Sequence, residues 1–231
     1  MIMPQTGALK LNPGTKISPQ SGYRSRFSHD TEKATAGYYE VMLDDYHVKA
    51  QLTATPRVGV HRYTFPKGND SRIILDLLHG IYNYDGKVLW SSLRVENDTL
   101  ITGFRMTDGW ARCNYTYFAI SLSKPIVSYG YRDMKKPKYT GFWRKFDLYH
   151  NFPEIAGKDI VAYFNFDNQA SQELTIKVAL SAVSTEGALK NLQAEAAGKT
   201  FDQIHQETHD AWERELDEIE CGGSQEKKKK I

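Results

Sequence analysis

Short segments in which apolar and polar residues alternate follow one another along most of the chain. In residues 173–183, for example, Leu174, Ile176 and Val178 fall on one face, which is typical of a strand with one buried side. Asp-Gly and Asn-Asp pairs between the segments are turn signals. The predicted strands are 38–43, 46–55, 58–65, 72–79, 88–96, 99–106, 115–122, 126–131, 142–147, 160–166 and 173–183, with a further short one at 8–11.

About ten or eleven strands at this spacing predict an antiparallel β-sandwich rather than a parallel α/β sheet. One segment departs from the alternating pattern. Residues 72–79 contain nearly continuous apolar residues at 73–75 and 77–78, so this strand is predicted to be buried on both faces. The rest of residues 1–37 is rich in Gly, Pro, Ser and Thr and is expected to be irregular.

The apolar period changes after the last strand and indicates two helices. Ser184 has the position of an N-cap and Gly198 that of a C-terminal stop, which predicts a first helix between them. Thr200 and Gln203 have the spacing of a capping box and predict a second helix that reaches about residue 219. The predicted domains are therefore a mainly β sandwich over 1–183, a helical segment over 184–220 and a disordered tail over 221–231.

Composition and charge exclude several kinds of protein. The 231 residues carry 30 basic and 28 acidic side chains, and four of the basic ones form the lysine run 227–230. This balance predicts no nucleic-acid surface. No apolar run has membrane-spanning length, and the first residues lack the features of a signal peptide, so the chain as written is expected in the cytoplasm. Cys113 and Cys221 show no metal-ligand spacing.

The candidate binding residues lie in a polar loop and on exposed aromatic positions. Arg26, His29 and Glu32 belong to the polar loop that precedes the predicted strand 38–43. Imidazole and carboxylate groups beside a cleft bind sugar hydroxyls well. An internal network that holds the loop against neighbouring tyrosines is the alternative. Among the tryptophans, Trp110 follows an Asp-Gly turn and is the preferred sugar-stacking residue, with core packing as its alternative. No catalytic set is recognisable.

Several motifs occur in the order typical of one enzyme family. They are GYRSRFSHDTEKATAGYYEV at 22–41, LTATPRVGVHRYTFP at 52–66, TGFRMTDGWA at 102–111, YFAISLSKP at 117–125 and STEGALKNLQAEAAGKTFDQIHQETHDAWEREL at 184–216. With these motifs the chain resembles the N-terminal domain of glycoside hydrolase family 92. The resemblance covers most of residues 4–220.

The resemblance implies a galactose-mutarotase-like supersandwich followed, in complete family enzymes, by a helical (α/α)₆ domain. Such enzymes are calcium-dependent, inverting exo-α-mannosidases of the α-1,2 type, and are secreted or periplasmic. Their acid, base and most calcium ligands belong to the helical domain. This chain is similar only up to where that domain should begin, and it starts after the Gly- and His-rich segment that opens the family domain. We therefore expect a fragment truncated at both ends, with no bound calcium.

Three functions remain open from the sequence. The first is the sandwich half of a mannosidase, inactive alone, whose partners are mannose-containing glycans and the helical catalytic domain. The second is an autonomous carbohydrate-binding module that uses its aromatic loops. The third is a structural sandwich. Because the second helix places Phe201, Ile204, Trp212 and Leu216 where one sandwich cannot cover them all, a weak homodimer through that helix is also expected.

Overall fold

Thirteen strands and two α-helices form the fold in the residues that the computed structural model describes, which are 1–216 except 16, 69, 81, 83, 133–152 and 170–171. The strands are β1 (Ile2–Gln5), β2 (Lys33–Thr35), β3 (Tyr38–Leu43), β4 (Val48–Ala54), β5 (Val58–Thr64), β6 (Ser71–Asp76), β7 (Val88–Asn97), β8 (Leu100–Thr107), β9 (Asn114–Leu122), β10 (Ile126–Tyr131), β11 (Glu154–Gly157), β12 (Val161–Phe166) and β13 (Glu173–Ser181). The helices are α1 (Thr185–Ala196) and α2 (Phe201–Leu216).

The strands form two sheets that face each other. The large sheet has nine strands in the order β11-β7-β8-β9-β13-β5-β4-β3-β2, and the small sheet has four in the order β1-β6-β12-β10. Neighbouring strands in the described residues run antiparallel in both sheets. The predicted fold class, a mainly β antiparallel sandwich followed by two C-terminal helices, is confirmed.

The main core lies between the two sheets. Val48, Tyr63 and Leu174 of the large sheet meet Ile73 and Phe164 of the small sheet, and each is almost fully buried. These residues alternate along their strands with outward-facing ones, as the sequence pattern predicted. Burial of each such side chain contributes about 1.5–3 kcal/mol, so the alternation selects which face of every strand points inward.

Strand β6 is buried on both faces, as its continuous apolar residues predicted. All six residues of Ser71–Asp76 are buried. On the face away from the main core, Ile74 packs with Val161 of β12 and with Tyr23 from the N-terminal segment. The N-terminal segment therefore forms an extra layer over the small sheet.

The two helices cover part of the outer face of the large sheet. Val58 and Val60 of β5 pack there against Ala196 of α1 and against Phe201 and Ile204 of α2, and all five are buried. In this second apolar cluster each helix buries its apolar side on the large sheet.

The helix ends have the caps that the sequence predicted. The Ser184 hydroxyl accepts the Gly187 N–H at 3.0 Å, and Gly198 ends the first helical segment with a φ of 69°, a left-handed value that favours glycine. Thr200 and Gln203 form a reciprocal capping box, with distances of 2.8 and 3.2 Å between each backbone N–H and the other side chain.

The N-terminal segment differs from the prediction. Residues 8–11 form no strand; instead, the Gln5 side chain bonds both the N–H and the carbonyl of Lys10, which turns the chain there. The strand lies earlier, at β1, where it pairs with β6. Pro4 is compatible with this pairing because β1 is an edge strand. Strands β2 and β11 were also missed, whereas the other predicted strands in the described residues end within about three residues of the observed bounds.

Some predictions fall outside the described residues. These are the strand at 142–147 with Trp143, the end of the second helix beyond Leu216, and the tail at 221–231 with Cys221. Cys113, the cysteine within the described residues, is exposed and has a free thiol.

Candidate functional site

The polar loop before β2 begins at a buried tyrosine. Tyr23 is 2% exposed, and its hydroxyl donates to Oδ2 of Asp76 at 2.5 Å. The other oxygen of Asp76 accepts the backbone N–H groups of Leu78 and His79. Burial and the bond to this carboxylate raise the pKa of Tyr23 well above its usual range. The loop is thus anchored at its start to the end of β6.

Arg26 attaches the middle of the loop to the turn between β3 and β4. Its Nε and Nη2 both donate to Oδ1 of Asp45, at 2.9 and 2.7 Å, and its backbone N–H donates to Oδ2 at 2.7 Å. These bonds lower the pKa of the Asp45 carboxyl. The backbone N–H of Asp44 also donates to the Arg26 carbonyl at 2.9 Å, so Asp44 and Asp45 together position the loop. Arg26 is already engaged with a carboxylate, although its side chain remains largely exposed.

His29 and Glu32 form a network with Tyr39 at the exposed end of the loop. The Nδ1 atom of His29 lies 2.6 Å from Oε2 of Glu32, and the Tyr39 hydroxyl donates to Oε1 at 2.5 Å. The two bonds lower the pKa of Glu32. A neutral His29 that donates from Nδ1 presents Nε2 as an acceptor, and its side chain is 87% exposed. The network holds the carboxylate in place while the imidazole still faces solvent.

Trp110 lies far from this loop. It is fully exposed at the tip of the β8–β9 hairpin. Five inter-strand steps separate β8 from β3 in the large sheet, which is about 24 Å at 4.8 Å per step. The hairpin tip and the β3–β4 turn are also at opposite ends of their strands. The structure therefore joins His29 and Glu32 directly, holds Arg26 in the same loop through Asp45, and places Trp110 elsewhere.

The comparison with known families identifies the fold. The profile of the glycosyl hydrolase family 92 N-terminal domain matches residues 1–181. The chain belongs to glycoside hydrolase family 92. The match spans β1 to β13, and both helices follow it in sequence. A comparison with curated proteins found no match.

Solved structures of family 92 enzymes resemble the chain over nearly its whole length. The α-mannosidase BT3965 from Bacteroides thetaiotaomicron, in complex with mannoimidazole, is 38% identical over 97% of this chain, with a TM-score of 0.85. The inverting mannosidase BT2199 from the same species is 28% identical over 96%, with a TM-score of 0.76. The glycosyl hydrolase CcMan5 is 26% identical over 97%, with a TM-score of 0.77. The chain spans only 28%, 27% and 29% of these three chains.

The described residues do not fit the calcium site that family 92 implies. Within them, no group of three or more His, Cys, Asp or Glu side chains is arranged to hold a metal ion. Calcium needs about six to eight oxygen ligands. Calcium binding by the complete enzyme, through residues of another domain, stays a prediction.

None of the helices in the described residues combines the length and the apolar content that crossing a membrane requires.

Proposed function

We propose that this chain is the N-terminal domain of an α-mannosidase that removes terminal α-linked mannose from glycans, with an α-1,2 preference. The observation that carries the proposal is its 38% identity, over 97% of its length, to the α-mannosidase BT3965. The relative BT2199 is an inverting mannosidase. Inversion requires a general acid and a general base on opposite sides of the scissile bond, separated enough to admit a water molecule.

The proposed role of this domain is to support catalysis, with the acid, the base and the calcium ligands supplied by a helical domain. In the turn after β3, Asp44 and Asp45 are adjacent in sequence, and Asp45 is held by Arg26, so they are poor candidates for a catalytic pair. His29, Glu32 and Arg26 are proposed to face the glycan from the polar loop. Trp110 would contact a different part of it, because it lies across the sheet.

The test is a chimera in which this chain replaces the segment of BT3965 that it matches. With an aryl α-mannoside and calcium, we expect the chimera to release the aryl group and the isolated chain to release none above background. The reason is that a general acid and a general base each contribute a factor of about 10²–10⁴ to the rate, and the isolated chain is proposed to lack both.

The controls are BT3965 itself and BT3965 without the replaced segment. A chimera that is folded and monodisperse but hydrolyses no α-mannoside, while the parent enzyme does, would overturn the proposed function. Release of mannose by the isolated chain would overturn the assignment of catalysis to the other domain.

We also infer that the exposed side of α2 associates weakly with a second copy of the chain when nothing else covers it. A groove of about 850 Å³ lies between the C-terminal half of α2 and the β4–β5 turn, lined by Ala54, Pro56, Ala211 and Trp212 among others. Trp212 is 48% exposed in this groove. Exposed apolar faces of this kind usually have a partner.

A further inference from the structure

A cluster of aromatic residues lies on the outer face of the large sheet, beside α1. Trp90 of β7 pairs with Met106 of β8, and Met106 pairs with Tyr115 of β9. Two residues further along the same two strands, Phe104 of β8 pairs with Tyr117 of β9. These five residues, called the aromatic platform here, point away from the main core because Leu93 and Ile101, at the intervening positions, point into it.

The platform is accessible. The rings of Tyr115 and Tyr117 are nearly parallel, at 9° and 5.8 Å between centroids, and the Phe104 ring, 6.1 and 5.8 Å from them, is tilted by 48° and 49°. Trp90 is 43% exposed and Tyr115 is 40% exposed. Three adjacent strands span about 10 Å, which is room for two linked hexose rings. Trp110 lies at the tip of the same β8–β9 hairpin.

A groove with both apolar and polar side chains in its wall adjoins the platform. It has a volume of about 670 Å³, and Tyr115 forms part of its wall together with Arg57, Asn114, Lys190 and Asn191. These side chains place guanidinium, amide and ammonium groups next to aromatic rings, although Nε of Arg57 already donates to Glu195 and Nδ2 of Asn191 to the Leu180 carbonyl. Ligand sites commonly combine apolar and aromatic walls with a few polar groups that fix orientation.

The composition of the platform suits a sugar. Four of its five residues are aromatic, and the adjoining groove adds exposed Leu180 and Val183 beside its polar side chains. The C–H faces of hexose rings stack on aromatic rings, while their hydroxyl groups need donors and acceptors at the margin.

We propose that the aromatic platform and the adjoining groove bind an oligosaccharide chain, at a place separate from the polar loop that carries Arg26 and His29. The platform rings stack on successive hexoses, and Arg57, Asn114 and Asn191 bond their hydroxyls. The choice of a mannose-containing glycan rests on the proposed function. Binding here needs no hydrolysis, so the isolated chain has it.

The experiment measures binding of soluble α-mannan and α-mannotriose to the isolated chain by affinity electrophoresis and calorimetry. Trp90→Ala and Tyr115→Ala are expected to weaken binding about tenfold or more, through loss of ring stacking. Trp212→Ala is the matched control, since it removes a tryptophan of similar exposure on α2, and it should leave binding unchanged. Circular dichroism and thermal melting check that each variant is folded.

If a variant does not fold, the proposal can still be tested on the unsubstituted chain. With 5-fluorotryptophan incorporated, sugar is expected to shift the fluorine resonance of Trp90 and not that of Trp212. The proposal is overturned if neither mannan nor mannotriose binds. It is also overturned if binding is lost in His29→Ala and kept in Trp90→Ala, or if the Trp90 resonance does not respond while binding occurs. A change in molecular mass on Trp90→Ala would show a protein-docking face instead.

Whether the platform binds sugar is independent of whether this domain belongs to an active α-mannosidase. Absence of sugar binding by the isolated chain would leave hydrolysis by the BT3965 chimera as the deciding result for the proposed function. An inactive chimera combined with sugar binding at Trp90 would support the platform and overturn the mannosidase proposal. Binding of cello-oligosaccharides with the same strength would show that the platform does not select mannose.

Discussion

At the scale of single residues, Glu40 lies at the centre of a polar network between the large sheet and α2. Its Oε2 atom accepts the Tyr38 hydroxyl at 2.6 Å and the Gln51 amide at 2.9 Å, and it lies 2.9 Å from Nζ of Lys49. Burial opposes ionisation, but the bond from Tyr38 and the contact with Lys49 outweigh it and lower the pKa of Glu40 to about 2. The folded state therefore favours the charged carboxylate.

This network predicts a specific loss of stability in acid. The pKa of an unfolded glutamate is about 4.3, so the contribution of Glu40 is complete above that pH and disappears as pH falls towards about 2. Glu40→Gln should lower the free energy of unfolding at pH 7 by about 1–3 kcal/mol. The difference in the free energy of unfolding between Glu40→Gln and the unsubstituted chain should shrink between about pH 4.3 and about pH 2. Urea unfolding at several pH values measures it.

Glu215→Gln is the matched control, because Glu215 is exposed on α2, and it should follow the unsubstituted chain at every pH. A deficit in Glu40→Gln that is the same at pH 2 and pH 7 would contradict the assigned role of the carboxylate.

Residue types in the polar loop could be predicted from the sequence, but their partners could not. Arg26 and Glu32 were identified as candidates from their chemistry alone. Their contacts with Asp45 and Tyr39 exist because β3 runs beside the loop and then turns. Trp110 was grouped with them as the preferred sugar-stacking residue because it follows an Asp-Gly turn, and the order of strands separates it from the loop. The residue types of a candidate site can be read from short stretches of sequence, whereas the order of the strands decides which of those residues lie near one another.

At the scale of elements, α1 is attached to the large sheet at its C-terminal end by two charged side chains. Lys177 of β13 donates from Nζ to the carbonyls of Ala196 and Lys199, at 2.7 and 2.6 Å. Glu195 accepts from the Arg57 backbone N–H and side chain, at 2.9 and 2.7 Å. A cation at the C-terminal end of a helix satisfies carbonyls that have no partner in the helix and interacts favourably with its dipole.

Lys177→Met should therefore loosen α1. We expect the free energy of unfolding to fall by about 1–3 kcal/mol, because two charge-assisted hydrogen bonds are lost from a part-buried position. Chemical denaturation followed by circular dichroism measures this. Lys190→Met, on the exposed side of α1, is the control and should change stability by less than about 0.5 kcal/mol. If the two substitutions lower the free energy of unfolding equally, the bonds from Lys177 do not stabilise the C-terminal end of α1.

Elements with internal periodicity were predictable and short edge strands were not. Strand β13 and the capped helices carry their signals within their own residues. Strands β1, β2 and β11 have only three or four residues each, too few to show an alternating pattern. They are strands because β6, β3 and β7 offer backbone partners. In β1 and β11 those partners are distant in sequence, so no local window contains the information.

At the scale of the whole molecule, the exposed groove on α2 predicts concentration-dependent association. Light scattering should show a mass above 26.4 kDa that rises with concentration. Trp212→Ala should return the mass to that of the monomer, because it removes the largest exposed apolar side chain of the groove. Trp90→Ala, which removes a tryptophan elsewhere on the sheet, should not. A mass that stays at the monomer value at all concentrations would exclude the interface.

The position of β13 in the large sheet has a consequence for synthesis. It is the last strand of the described chain, yet it lies between β9 and β5, where Val178 pairs with both Ile120 and Gly59. Until the ribosome has released residues 173–181, the sheet is two separate halves, and the facing edges of β5 and β9 are open to other chains. A nascent chain stalled before Glu173 would thus be prone to aggregation, because the large sheet is complete only when β13 joins its two halves.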